Sequence, residues 1–264
     1  MLRIEDVCKT FLPGTVHERR ALAHLSLRVA AGDFVTIIGG NGAGKSTLFN
    51  LVAGVFYPDT GRVLLGGQDI TYWPEHRRAH QIGRLMQDPM AGTAPGMTIE
   101  ENITLAMLRG TRRVFGLSRR ERERARTLLA RLDMGLENRL HTRVGLLSGG
   151  ERQAVSLVMS TVVPPRLLLL DEHTAALDPQ AARKVLRITD AVVRGGETPI
   201  TTLMITHNIA TALEMGNRTL MLDEGEIVLD LDAPARQGLT VEALLALFAE
   251  RRKKKFDVDR VLLS

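Results

Sequence analysis

The sequence predicts an α/β protein: a mainly parallel sheet with flanking helices, an antiparallel β subdomain and an inserted α-helical subdomain. Three observations carry this expectation. A glycine-rich loop stands between an apolar strand and a helix in DFVTIIGGNGAGKSTLFNLVAGV, residues 33–55. A second apolar run, RLLLLDE at 166–172, leads directly into two acids. Between them, residues 88 to about 146 hold few strand-like runs and a capped, amphipathic helical pattern. Short continuous apolar runs are how strands buried on both faces of a parallel sheet appear in sequence.

The bulk composition bounds the function classes. At 264 residues the chain fits one large domain, or one domain with an inserted subdomain. It is 44% hydrophobic and 25% charged, ordinary for a packed globular protein. Aromatic residues make up only 4%, which argues against reading single-stranded bases by stacking. The net charge of +5, from 35 basic and 30 acidic residues, suits nucleic acid, anionic lipid or phosphorylated ligands without requiring any of them. A single cysteine, Cys8, excludes an intramolecular disulfide and suits a reducing compartment. The opening MLRIEDVCKTF carries acids and no apolar stretch of signal-peptide length. Apolar runs such as LFNLVAGVF at 48–56 fall far short of the roughly 20 residues that span a bilayer. A soluble, cytoplasmic chain is expected, with any membrane role arising through a partner.

Along the chain, MLRIEDV and ALAHLSLRV read as strands joined by LPGTVHERR, and RVLLGGQDI reads as a strand pair around Gly66 and Gly67. Phe34–Ile38 is a strand, followed by Gly39, four residues and Gly44-Lys45-Ser46, the G-x-x-x-x-G-K-[ST] pattern. Leu48, Leu51 and Val52 then recur at helical spacing. Glycines let successive backbone N–H groups converge on an anion, and the helix N-terminus adds partial positive charge. Gly39, Gly40, Asn41, Gly42, Ala43, Gly44, Lys45, Ser46 and Thr47 are therefore expected to hold a nucleoside triphosphate. Lys45 would reach the β- and γ-phosphates, and the Ser46 hydroxyl would face Mg²⁺. Ligands of open α/β sheets sit beyond the carboxyl ends of the strands. Asp171 is thus the candidate to support the metal, and Glu172 the candidate general base.

Two capping boxes mark helices. Ser118 and Glu121 open one that continues to Asp133, with Ala125, Leu128, Leu129 and Leu132 on one face. The basic residues in its RRERERARTLLAR alternate with acids, so they read as a solvated face and not as a nucleic-acid-binding helix. Ser148 and Glu151 open the other, in LSGGERQ at 147–153, where a serine and two glycines make a second anion-binding helix start.

In this motif order the sequence resembles the ATP-binding subunit of an ABC transporter, over residues 1 to about 235. GGNGAGKS resembles Walker A, Gln87 in LMQDP the Q-loop, LSGGERQ the signature and RLLLLDE Walker B. Asp178 in AALDP matches the D-loop, His207 in MITHN the switch histidine, and Phe11 the aromatic that stacks on adenine. The resemblance implies a P-loop NTPase core at 1–87 and 147–235, a helical subdomain at 88–146, and a C-terminal helix and tail at 236–264. It implies ATP and Mg²⁺ as cofactors, the metal held by Ser46, Gln87 and Asp171, with Glu172, His207 and Gln87 catalytic. It also implies a head-to-tail homodimer. Each ATP would lie between one copy's Walker A loop and the other's Ser148, Gly149 and Gly150, with Asp178 at the seam. Integral membrane permease subunits and, indirectly, a solute-binding protein would be partners, at the cytoplasmic face of the cell membrane and without nucleic acid. Glu151, His173, Ala175 and Ala154 depart from the family's usual Gln, Pro, Ser and Arg-rich continuation. None is a phosphate or metal ligand, so hydrolysis is still expected. Loss of the proline is expected to leave the turn at 173–175 less fixed.

DPMAGTAPGMTIEENITLAML, residues 88–108, places Met90, Met97 and Ile99 in a Gly/Pro-rich loop, where they are expected to dock a short helix of a membrane subunit. TVEALLALFAE reads as a short amphipathic helix, and the basic run Arg251–Lys255 as a solvated tail able to meet anionic lipid. HTRVGL lacks the acidic element that exporter-type chains carry before the signature. DEHTAALDP, LMITHNIATALEMGNRTLML and LTVEALLALF resemble ATP-binding subunits of tryptophan/tyrosine or related amino-acid uptake systems. Import of a small, amino-acid-like solute is the preferred expectation. The alternatives are an exporter or lipid-transport ATPase, a soluble ABC ATPase acting on DNA or the ribosome, and a module that binds ATP without hydrolysing it.

Overall fold

The apolar runs that flank the chemistry form strands with no solvent-facing side. In the computed structural model, which describes residues 1–88, 90–108 and 118–250, Leu167–Leu170 are each 0% exposed and Val35, Ile37 and Ile38 are buried. The strands are β1 (Leu2–Phe11), β2 (Arg19–Val29), β3 (Phe34–Gly39), β4 (Thr60–Leu65), β5 (Gln68–Asp69), β6 (Ile82–Leu85), β7 (Leu167–Asp171), β8 (Thr201–Ile205), β9 (Arg218–Asp223) and β10 (Glu226–Leu231). The helices are α1 (Lys45–Ala53), α2 (Glu75–Arg78), α3 (Ile99–Leu108), α4 (Arg119–Ala130), α5 (Gly149–Thr161), α6 (Pro179–Arg194), α7 (Ile209–Glu214) and α8 (Ala233–Arg236). A last helix, α9, occupies 241–250. The chain divides into two compact units, Trp73–Thr202 and Leu2–Tyr72 with the residues from Leu203 onward.

In the unit built from both ends of the chain, β2-β1-β4-β5 form an antiparallel sheet. The Gly66-Gly67 pair makes the expected turn: both residues have positive φ (58° and 83°) and join β4 to β5 with Leu65 opposite Gln68. Two left-handed residues are what a two-residue hairpin loop requires if its twist is to match the strands. A second sheet runs β10-β9-β3-β8, with β3 and β9 parallel from Val35↔Arg218 to Gly39↔Leu222. Its one buried polar side chain within β3, Thr36, is satisfied: its hydroxyl lies 2.9 Å from Ala212 O and 2.8 Å from Thr219 Oγ1. Helix α9 packs Leu244 into a cluster with Ile38, Ala212, Met221 and Leu229, as its amphipathic pattern requires. The expected basic run at 251–255 and the closing VLLS lie outside the described residues.

In the other unit β6 and β7 are parallel, in register from Ile82↔Leu167 to Leu85↔Leu170. The apolar run at 166–172 forms β7, five residues long. Both predicted capping boxes form, at Ser118–Glu121 for α4 and Ser148–Glu151 for α5. The expectation for Ile99 needs correction. It opens α3 and is fully buried with Ile103 one turn on, so it belongs to the core and not to a loop surface. Met90 and Met97 are each 40% exposed.

The β7–α6 turn buries His173 to 1% exposure, and burial pushes its imidazole down to about 4. The unfolded chain, titrating near 6.5, then binds the proton more readily than the folded one. Stability from this group is present above pH 6.5 and is lost as the pH falls toward 4. Thermal unfolding from pH 7 to 4 should therefore lose about 3 kcal/mol more in the wild type than in His173→Phe. Parallel curves for the two proteins would contradict this assignment.

Candidate functional site

The predicted site residues fall into two groups, one in each unit. In the first unit, β3 ends at Gly39 and α1 begins at Lys45, so residues 40–44 form the loop between them. Sterics demand the glycines. A Cβ on Gly39 would stand 2.3 Å from the Leu222 carbonyl oxygen, and one on Gly44 would stand 2.6 Å from that of Ala21. Gly44 also caps α1 with φ at 101°, a left-handed geometry that costs glycine nothing. It offers no side chain to the helix start, and the first turn carries no acid. The positive end of the helix is thus available to an anion.

Lys45 is 5% exposed, and its ammonium donates to the carbonyls of Gly39 at 2.8 Å and Gly40 at 3.0 Å. A buried charge requires such partners, and these place it across the loop. Ser46, Asn41, Gly40 and Gly42 are exposed, Thr47 is half-buried and Ala43 is buried. Sequence reasoning missed Arg19, whose guanidinium donates to Gly42 O at 3.1 Å. Phe11 closes β1, its ring edge-on to Phe56 at 5.3 Å and 87°. Lys9 Nζ lies 5.8 Å from both ring centres, so this aromatic pair carries a cation beside it. Phe56 follows α1 in sequence, and only the pairing of β1 with distant strands could have identified it. His207 is exposed just beyond β8. Thr206 before it donates its N–H to Ile37 O of β3 at 3.2 Å, and Asn208 after it caps α7.

In the second unit Asp171 ends β7 and Glu172 follows, both half-buried. Arg84, on the paired strand β6, brings Nη2 to 3.8 Å from Asp171 Oδ2, an ion pair the sequence did not signal. Glu172 has φ at 45°, an uncommon conformation for a residue with a side chain. Gln87 is exposed after β6, and its carbonyl is 3.5 Å from Gln153 Nε2 of α5. At the start of α5, Ser148 Oγ accepts the Glu151 N–H at 3.3 Å and Glu151 Oε2 accepts the Ser148 N–H at 2.8 Å. The departure Glu151 thus completes the box and also pairs with Arg139. Burial opposes ionisation of Glu151, but hydrogen bonds from Ser148 and Arg139 hold its carboxyl below the usual range. Gly149 is exposed; Gly150 is buried, where a Cβ would lie 3.3 Å from Ala181 Cβ. Asp178 caps α6, its Oδ1 accepting the N–H groups of Gln180 and Ala181 at 3.0 Å each. Ala154, at a position where the family commonly continues with arginine, is buried.

The loop at 90–98 is pinned from within the same unit. Buried Asn102 of α3 accepts the Ala94 N–H at 2.7 Å and donates to the carbonyls of Ala94 at 3.0 Å and Thr98 at 2.9 Å. Beside it a cavity of about 780 Å³ is lined by Met97, Leu105, Leu108, Glu100, Arg122 and other residues. No helix among the described residues is long and apolar enough to cross a membrane.

The ABC transporter sequence family matches residues 22–175. A tyrosine transport ATP-binding protein of Clostridioides difficile (strain R20291) is 41% identical over 94% of this chain and 98% of that protein. The lipoprotein-releasing system ATP-binding protein LolD of a Ruegeria species (strain TM1040) is 36% identical over 86% of this chain and 97% of its own length. A dimeric ATP-binding cassette in a post-hydrolysis state, bound to ADP and Pi, superposes with a TM-score of 0.74 at 27% identity, covering 88% of this chain and 99% of that one. The chain belongs to the ABC transporter family, as one of its ATP-hydrolysing, ATP-binding subunits.

Proposed function

We propose that this ATPase drives import of a small solute, an aromatic amino acid such as tyrosine, through separate membrane permease subunits supplied by a solute-binding protein. The observation that carries the reading is the 41% identity, over nearly the whole of both chains, to a tyrosine transport ATP-binding protein. Likeness to a lipoprotein-releasing ATPase supports a second reading, extrusion of lipid-linked cargo. The chain would work at the cytoplasmic face of the membrane, attached through its permease.

Two copies would pair head to tail, with the isologous contact of a two-fold dimer. Lys45 and the N–H groups of residues 40–47 bind the phosphates of ATP, and Phe11 stacks on the base. Ser148, Gly149 and Gly150 of the other copy close over the γ-phosphate, with Asp178 at the seam. The oxygen donors Ser46, Asp171 and Gln87 suit Mg²⁺, a hard cation that takes its remaining ligands from phosphate and water. When bound, it would neutralise charge on the β- and γ-phosphates. Glu172 takes the proton of the attacking water as its oxygen bonds to the γ-phosphorus and the bond to the β-phosphate oxygen breaks. His207 hydrogen-bonds the γ-phosphate, and release of phosphate reopens the seam. Met90, Met97 and the cavity beside α3 would receive a helix of the permease, so that closing of the dimer moves the membrane subunits.

Glu172→Gln is expected to lower ATP turnover by about 10²- to 10⁴-fold and to accumulate an ATP-bound dimer in size-exclusion chromatography. Cells carrying it should take up no radiolabelled tyrosine. Turnover at the wild-type rate would remove Glu172 as base; normal hydrolysis coupled to another cargo would redirect the transport reading. Met97→Asp is expected to abolish uptake with nucleotide binding intact, and normal uptake in that variant would contradict the docking assignment.

A further inference from the structure

The turn after β7, expected to be less fixed for want of a proline at 173, is held by buried side chains. His173 is 1% exposed and Thr189, on the inner face of α6, is 0% exposed. His173 Nε2 lies 3.2 Å from Thr189 Oγ1. The Thr189 hydroxyl already donates to the Val185 carbonyl, at 2.9 Å, one turn back in its own helix. Its hydrogen is therefore committed, and the bond to histidine requires Nε2–H as donor. The helix that carries Thr189 is fixed at its start by Pro179 and by the two N–H groups capped on Asp178. Within the turn, Ala175 N–H donates to Glu172 O at 2.9 Å and Leu177 N–H to Thr174 O at 3.2 Å.

These contacts bracket a strained residue. Glu172 has φ at 45°, a left-handed conformation that is unfavourable for a residue with a side chain. Such a conformation persists only when its surroundings over-determine it. On one side stands β7, its leucines fully buried. On the other stands His173, whose ring cannot leave the core without breaking its buried hydrogen bond to Thr189. Relaxation of Glu172 to an extended backbone would have to move one or the other.

We infer that His173 is a positioning residue for Glu172: its buried hydrogen bond to Thr189 of α6 fixes the left-handed backbone that aims the Glu172 carboxylate beyond the strand end. The inference rests on the reading of Glu172 as general base. A tertiary bond here does what a proline ring does locally, restricting one residue's backbone so that its neighbour's is set. It makes α6, and so the helix that Asp178 caps, part of the support for the base.

A double-substitution cycle on the full-length chain tests it, with Thr189→Val, His173→Phe and the two combined. Each is read by kcat, by ATP affinity from equilibrium binding, and by melting temperature. Each single variant should lose about ten- to a hundredfold in kcat, the scale for a misplaced catalytic group, with ATP affinity unchanged. Thr189→Ser, which keeps the hydroxyl, should retain the wild-type kcat. The double variant should fall no further than either single one. It should also regain melting temperature relative to Thr189→Val, which strands the buried His173 Nε2–H, so it decides the matter even if that single variant fails to fold. Wild-type kcat in either single variant overturns the inference, and so does recovery of kcat together with stability in the double variant, which would reduce His173 to packing. Glu172→Gln, assayed alongside, separates the two failures. If it is inactive while the single variants are not, only the positioning role falls; if it turns over normally, the base reading falls and takes this inference with it.

Discussion

The constraint on which the glycine-rich loop depends is steric: the carbonyl oxygens of Leu222 and Ala21 approach the backbone at Gly39 and Gly44 to within 2.3 Å and 2.6 Å of where a Cβ would be. Those carbonyls belong to β9 and β2, so two different sheets press the loop into shape. The loop leads directly into the start of α1, whose positive dipole end carries no side-chain cap. Lys45 is buried by the same compaction, and its ammonium donates to the Gly39 and Gly40 carbonyls. An alanine at either glycine would push a strand or open the loop, so the phosphate site depends on packing that lies outside it.

The leucine run at 167–170 explains how two acids can stand at the end of a buried strand. Burying each leucine contributes about 1.5–3 kcal/mol, and four of them are fully buried. The left-handed backbone of Glu172 costs about 1–2 kcal/mol, which this packing readily offsets. The strand is a rigid post, and its polar end is where the chain can emerge with carboxylates in defined directions. Arg84 on the paired strand meets Asp171, so the neighbouring strand also shapes the acid's surroundings.

Local signals in the sequence were read correctly. The two capping boxes, the strand at the leucine run, the Gly66-Gly67 hairpin and the strand, glycine-rich loop and helix at 34–53 each depend on residues within a few positions of one another. What escaped depends on contacts across the sequence. Arg19 reaches Gly42, Phe56 meets Phe11, Arg84 meets Asp171 and Arg139 meets Glu151, and none of these pairs has a periodic spacing. Ile99 was misplaced because a Gly/Pro-rich run hides where a helix begins; its spacing to Ile103 was the available clue. The turn at 173–175 was expected to be loose from the loss of proline alone. Its anchor, Thr189, lies 16 residues away and could be found only once α6 was folded against it.

The central claim is that this ATPase works on a membrane partner. The most direct measurement is to recover the tagged chain from gently solubilised native membranes and identify by mass spectrometry what comes with it. A polytopic permease together with a solute-binding protein that takes up an aromatic amino acid is the expected result. Recovery from the soluble fraction alone, or with ribosomes or DNA, would contradict it.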